Sequence, residues 1–187
     1  DNGGIMDLVS GGGDLTIPQT TTLIANVPRT FTNITVNGVL THSPNGSEAL
    51  YRIDYTSLGF LNVTSTGQIN VDSRGYATGQ GPGKGNNSDS GAGGASHAGV
   101  GGNGRVGAGG IVIYGEELTP EWLGSGGGKH SSSAGTPGGG AIKLTVNETT
   151  TVNGTISANG AYGNGVSDRA DGGGAGGSIW IITDSLT

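Results

Sequence analysis

The sequence has no cysteine, so neither a disulfide framework nor a thiolate zinc site is open to it. Charged side chains make up only 12% of the chain, and eight Lys and Arg against fourteen Asp and Glu leave a net charge of −6. A chain so poor in basic residues has little attraction for nucleic acid or for an anionic membrane surface, and neither is expected as a partner. No apolar run reaches the roughly 18 residues of a membrane-spanning helix, so no membrane insertion is expected. The opening Asp1-Asn2-Gly3-Gly4 lacks the basic and apolar regions of a secretory signal, as a mature or excised sequence would. Aromatic residues are scarce at 5%, and no window carries the i, i+3, i+4, i+7 stripe of an amphipathic helix. The nearest helical candidate is Leu118-Thr119-Pro120-Glu121-Trp122-Leu123, one turn at most.

What is abundant is glycine, 42 of 187 residues, and Gly, Ser, Thr and Asn together make about half of the chain. Glycine-rich backbone loses much entropy on ordering, so a repetitive hydrogen-bonded ladder suits this composition better than scattered side-chain packing. The apolar residues are gathered in short alternating, β-branched runs bounded by Gly, Asn or Asp, which is the strand signal. Such runs are Thr22–Ala25, Phe31–Val36, Val39–Thr41, Ala49–Tyr55, Leu61–Thr64, Gln68–Val71, Ile111–Tyr114, Ala141–Val146, Thr151–Val152, Thr155–Ala158 and Ser178–Ile182.

Two units recur. Gly-x-apolar-x-apolar appears at Gly67-Gln68-Ile69-Asn70-Val71 and Gly154-Thr155-Ile156-Ser157-Ala158, with Gly38-Val39-Leu40 as a degenerate relative. Gly-Gly followed by an alternating strand appears at Gly109-Gly110-Ile111-Val112-Ile113, Gly139-Gly140-Ala141-Ile142-Lys143-Leu144 and Gly176-Gly177-Ser178-Ile179-Trp180-Ile181. Short strands recurring in register suggest an all-β, right-handed parallel β-helix, a solenoid of stacked rungs in a single domain, 1–187. A β-sandwich or jelly roll is the alternative, but it does not require its strands to resemble one another. Three glycine-rich stretches, 79–110, 124–140 and 160–177, interrupt the strands. Their glycines keep no strict third-position repeat, which excludes a collagen triple helix. They are read as long loops stacked on one face, or as extended segments packed backbone to backbone.

The run Gly172-Gly173-Gly174-Ala175-Gly176-Gly177-Ser178-Ile179-Trp180-Ile181, with Gly154-Thr155-Ile156-Ser157-Ala158-Asn159-Gly160, resembles the glycine-rich β-helical repeats of large secreted or cell-surface proteins of microbes. The resemblance covers Leu61 to Thr187 and is weaker before it. It implies an extracellular structural or adhesive role and carries over no catalytic residues. In such repeats Ile182-Thr183-Asp184-Ser185-Leu186-Thr187 would be followed by another rung, and an uncovered last rung is a template for strand addition. The expectation is therefore a non-enzymatic subunit of an extracellular fibre or adhesin, its partner a second copy of itself, with residues 1–18 as an exchanged or capping strand segment. A fragment of a longer chain is the plainer reading of the same ending. Ile5, Leu8, Leu15, Ile17, Trp180 and Ile182 are the expected subunit contacts, Trp180 because it alternates outward if Ile179 and Ile181 face in.

The rival class is a carbohydrate-binding or polysaccharide-degrading β-helix, which would need clustered carboxylates. Here the acids are dispersed, and the best single pair, Asp72 with Arg74, reads as a turn. His42, His97 and His130 lack metal-ligand spacing. No cofactor is expected beyond a structural calcium at Asp168 and Asp171. Gly83-Lys84-Gly85 and Gly128-Lys129-His130 fail the phosphate-loop pattern. Six Asn-x-Ser/Thr sequons, at Asn33, Asn45, Asn62, Asn86, Asn147 and Asn153, make glycans an expected addition or partner, although the same residues also suit solenoid turns.

Overall fold

A computed structural model describes residues 12–131, 133, 135–164 and 170–187. Eleven strands follow in chain order: β1 Leu15–Ile17, β2 Thr22–Ile24, β3 Arg29–Phe31, β4 Ile34–Val36, β5 Val39–Thr41, β6 Ile53–Ser57, β7 Leu61–Val63, β8 Gln68–Asn70, β9 Ala141–Val152, β10 Thr155–Ser157 and β11 Ser178–Leu186. Among the described residues there is no helix, and Leu118–Leu123 forms none. Every strand pair is parallel.

The strands make two sheets. One has seven strands in the order β1-β4-β7-β9-β6-β3, with β11 added to β9; the other has four in the order β10-β8-β5-β2. This corrects the expected right-handed β-helix. A solenoid of equal coils would keep its faces as separate sheets, whereas the 12-residue β9 pairs β6 along Ile142–Val146 and β7 along Thr150–Val152, merging two groups of strands into one sheet. The described residues between 71 and 140 contribute no strand, so no coil repeats across the middle of the chain. The sandwich or jelly-roll alternative is overturned as well, because those folds are built from antiparallel strands.

Alternation within the short strands decides what is buried. Ile17, Val36, Val63 and Val152 share one register row, and Leu23, Leu40, Ile69 and Ile156 share another. Both rows face inward and form one core with Ile53, Tyr55, Ile142 and Leu144. The residues between them, such as Thr16, Thr35, Asn62 and Thr151, form a polar ladder on the opposite face.

The described parts of the glycine-rich stretches are the extended segments of the two readings above rather than loops. Their hydrogen bonds advance by three residues at a time. Gly124 and Gly127 donate to Gly139 O and Thr136 O, Gly172 and Ala175 to Gly128 O and Ser125 O, and Ala92 and Ala95 to Ala170 O and Gly173 O, all at 2.8–3.0 Å. A step of three is the period of the polyproline II conformation, which has no internal hydrogen bonds and must find partners on neighbouring segments. Close approach explains the glycine: a Cβ at Gly93, Gly138, Gly172 or Gly177 would collide with a carbonyl oxygen of Ala108, Gly124, Gly93 or Gly140 respectively. Among the described residues Tyr76, Leu123 and Ala141 form a separate small apolar cluster beside this body.

Candidate functional site

The last strand of the seven-stranded sheet is an open edge with partly uncovered apolar side chains. Among the described residues β11 pairs with β9 and with no other strand. The Ser178 amide donates to Gly140 O at 3.1 Å. In a parallel ladder alternate residues bond to alternate sides, so the N–H and C=O of Ile179 and Ile181 point away from β9. The side chains are equally uncovered: Ile179 is 41% exposed, although it shares a row with Ile53 and Ile142, both fully buried. At the opposite end of the stack Leu15 is 1% exposed and Phe31 6%. One end of the core is closed and the other is open.

The outer face beside this edge carries a charged corner. Asp54, Lys143 and Trp180 occupy one register row. Glu121 accepts from Lys143 Nζ at 2.7 Å and from the Arg52 guanidinium at 2.9 Å, while Arg52 also reaches Asp54 at 3.2 Å. The Lys143 hydrogen bond, aided by the nearby positive charge, holds the Glu121 carboxyl below its usual range. The same ammonium lies over the Trp180 ring, 4.8 Å from its centroid. Next to it Ser178 Oγ donates to Trp122 O at 2.8 Å, and Trp122 meets Tyr114 edge to face with ring centres 6.4 Å apart. The Tyr114 hydroxyl donates to Leu123 O at 2.7 Å, and burial pushes its pKa up to about 12. Trp122, Tyr51, Leu50, Arg52, Glu116 and Glu121 line a groove of about 600 Å³.

Of the expected subunit contacts, Ile5 and Leu8 lie outside the described residues. Leu15 and Ile17 belong to β1 and are spent on the chain's own core, each 1% exposed. Trp180 is half-buried on the outer face and Ile182 is 40% exposed, so these two stand together at the open edge. Ile181 packs against the core as alternation required. Ile111–Tyr114, expected as a strand, forms none, and Ile111, Val112 and Ile113 are exposed.

The six sequons separate into two groups. Asn45 is 5% exposed; its amide donates to Tyr51 O and Arg74 O and accepts from Leu50 and Tyr51, so it is a turn anchor with no room for a glycan. Asn33 donates to Asp14 and accepts from Phe60 N–H. Asn86, Asn147 and Asn153 are exposed, and Asn62 stands half-exposed in the outer polar ladder.

Asp168, half of the calcium expectation, lies outside the described residues. Asp171 is 6% exposed, accepts from the His130 amide at 2.7 Å and from Ser133 Oγ, and leaves its second oxygen without a hydrogen-bond partner. Among the described residues no group of three or more His, Asp or Glu is placed to hold a metal ion. Asp72 accepts from the Asn159 amide at 2.6 Å and so ties a turn, while His97 bonds Gly176 O at 2.9 Å. His42 is fully buried, its Nδ1 on Ser43 O at 2.8 Å and its Nε2 facing the Ala141 amide at 3.3 Å, which fixes the neutral tautomer with the proton on Nδ1. The sequence pattern weighed His42 only as a metal ligand and did not point to Glu121; the Ala141 amide facing His42 and the Arg52 and Lys143 partners of Glu121 lie far along the chain.

Comparison with protein-family models, curated proteins and solved structures finds no match to this chain.

Proposed function

We propose that this protein is a non-enzymatic structural subunit of an extracellular fibre or surface adhesin, and that copies join end to end by adding a strand to the free edge of β11. The carrying observation is the contrast between the two ends of the core: 1% exposure at Leu15 and Ile17, against 41% at Ile179 and 65% at Leu186. A nine-residue strand whose outer side meets no other strand among the described residues, and whose apolar side chains are partly uncovered, is a template for another chain. Neither proline nor a bulge blocks the stretch Ser178–Thr183, and its single register irregularity falls between Thr183 and Ser185. A non-enzymatic role is favoured because Asp72 is engaged in a turn and the ionised Glu121 is held between two cations. The exposed sequons at Asn86, Asn147 and Asn153 suit a glycan-bearing surface.

Electron microscopy with size-exclusion chromatography on the same sample tests this reading. Filaments are expected from the unmodified chain. Ile179→Pro removes one outward N–H without touching a bond to β9 and should abolish them, because proline is tolerated where an edge amide faces solvent. A chain that stays monomeric at high concentration sinks the proposal. A carbohydrate-binding role is the second reading, favoured by the groove lined by Trp122 and Tyr51. Saturable binding of a soluble oligosaccharide, lost in Trp122→Ala, would support it.

A further inference from the structure

We infer that the strand added to β11 is residues Gly3–Val9 of a second copy, in one defined register. This rests on the assembly reading and names its donor. The sequence Gly3-Gly4-Ile5-Met6-Asp7-Leu8 repeats the form of the two units that already lie side by side in the sheet, Gly139-Gly140-Ala141-Ile142-Lys143-Leu144 and Gly176-Gly177-Ser178-Ile179-Trp180-Ile181. In each, two glycines precede a residue of variable type, then an apolar residue, an outward residue and a second apolar residue. β9 and β11 pair through this unit in register, Ser178 with Ala141, Ile179 with Ile142, Trp180 with Lys143 and Ile181 with Leu144. Continuing that register sets Met6 beside Ile179, Asp7 beside Trp180 and Leu8 beside Ile181.

Each placement answers a feature of the open edge. Met6 and Leu8 cover the two rows that the end of the sheet leaves uncovered, those of Ile179 and Ile181. Asp7 enters the outward row Asp54–Lys143–Trp180, next to the ring over which the Lys143 ammonium lies. Gly4 falls beside Gly177, where a Cβ already has no room against the Gly140 and Gly139 carbonyls of the preceding unit. A one-residue slip would turn Met6 and Leu8 outward and Asp7 into the core, so the register is strongly specified.

The length of the chain decides between its own amino-terminal segment and that of another copy. Along the sheet β1, β4, β7, β9 and β11 are successive neighbours. A strand beyond β11 therefore lies five spacings from β1, about 24 Å at roughly 4.8 Å each. Five residues lie between Val9 and Leu15, and the six Cα–Cα steps this makes span at most about 20–22 Å when extended. The segment therefore falls short of its own open edge even before the offset along the strands is added. In a head-to-tail stack the β1 end of the donor copy faces β11 of the acceptor, and the same six steps of chain cover the one or two spacings between them. Such a heterologous contact does not close on itself and propagates as a filament.

The absence of cysteine makes the test direct. Chains carrying Met6→Cys are mixed with chains carrying Ile179→Cys under mild oxidation, since neighbouring strands bring Cα atoms within the range a disulfide accepts. A covalent heterodimer is expected, and Asp7→Cys should pair with Trp180→Cys in the same way. Asp7→Cys mixed with Ile179→Cys, on opposite faces, should give at least about tenfold less product. Filaments from the unmodified chain without a cross-link at the matched positions would overturn this donor and register and leave the assembly reading standing. No filaments and no cross-link would overturn both. A matched cross-link without filaments would uphold the contact and sink the fibre.

Discussion

The stacked strands and the glycine-rich body meet the same demand, that every buried amide and carbonyl find a partner, with opposite use of side chains. In the strands, hydrogen bonds join residues whose side chains alternate, and the rows Leu23–Leu40–Ile69 and Ile17–Val36–Val63 supply the apolar burial. In the body the bonds advance in steps of three, between segments so close that side chains are excluded at Gly138, Gly172 and Gly177. The comparison teaches that cohesion can come from backbone bonding alone where glycine removes the spacer, and that such cohesion tolerates less change than an aliphatic core. A core can relax around a cavity, but a Cβ placed on a carbonyl oxygen has to move a whole segment.

The strongest way to break the comparison is therefore in the body and its junction with the sheet. Gly177→Val should leave no cooperatively folded protein, measured as loss of the urea transition. Its Cβ would strike the carbonyls of both Gly140 and Gly139, and the displaced segment leads straight into β11. A well-folded Gly177→Val would mean that the backbones are not in contact. Leu144→Ala in the aliphatic core comes next, at about 2–5 kcal/mol, the usual cost of a core truncation. A smaller loss there than for an exposed residue such as Leu118 would show that the strands do not depend on their core.

Period two was legible in the sequence and period three was not. Alternation found Leu61–Val63, Gln68–Asn70, Thr155–Ser157 and the starts of β9 and β11, because each short strand buries one face. It also put Trp180 on the outer face, where the structure has it beside Lys143. The same rule failed at Ile111–Tyr114, where the Ser96 hydroxyl on Val112 O at 2.6 Å and the His97 carbonyl on the Tyr114 amide at 3.1 Å take bonds a ladder would need. It overran at Ala49–Tyr55, where Asn45 holds the Leu50 and Tyr51 amides in a turn and the strand begins only at Ile53. The regular solenoid was a fair extrapolation from similar rungs, but similarity of units does not say that a single strand, β9, will bridge two groups of them. The step of three left no mark because the interdigitating glycines come from different segments and need no fixed spacing within any one of them.

His42 stands where the two regions meet and offers a subtler way to separate them. Burial lowers its pKa, the Nδ1–H bond to Ser43 O opposes that shift, and Arg74 adds to it. Its folded value lies below its unfolded one. The stability it contributes is thus present above about pH 6.5 and is lost as pH falls through the folded value, because the unfolded chain takes up a proton that the native site refuses. Protonation would set an Nε2–H against the Ala141 N–H at the first residue of β9. The unfolding free energy read from urea titrations should fall below pH 6.5 with a slope of up to about 1.4 kcal/mol per pH unit, and His42→Gln should remove most of that slope while lowering stability at pH 8. A slope unchanged in His42→Gln would assign the acid sensitivity elsewhere.

The smallest effect belongs to the charged corner on the outer face, where neither the core nor the close-packed backbone is involved. Glu121 joins Arg52 and Lys143 across the sheet, and its carboxyl is held below the usual range chiefly by the Lys143 hydrogen bond. Its contribution is fully present above the ordinary glutamate value and is lost as pH falls through the lowered folded value. These side chains remain partly exposed, so solvent and salt screen the pairs, and Glu121→Gln should cost about 0.2–1 kcal/mol and less still in high salt. A larger loss would mean that Lys143, left over the Trp180 ring without its counterion, was fixing the edge of β11 as well as decorating it. Filament formation by Glu121→Gln at equal stability then distinguishes a corner that shapes the open edge from one that only borders it.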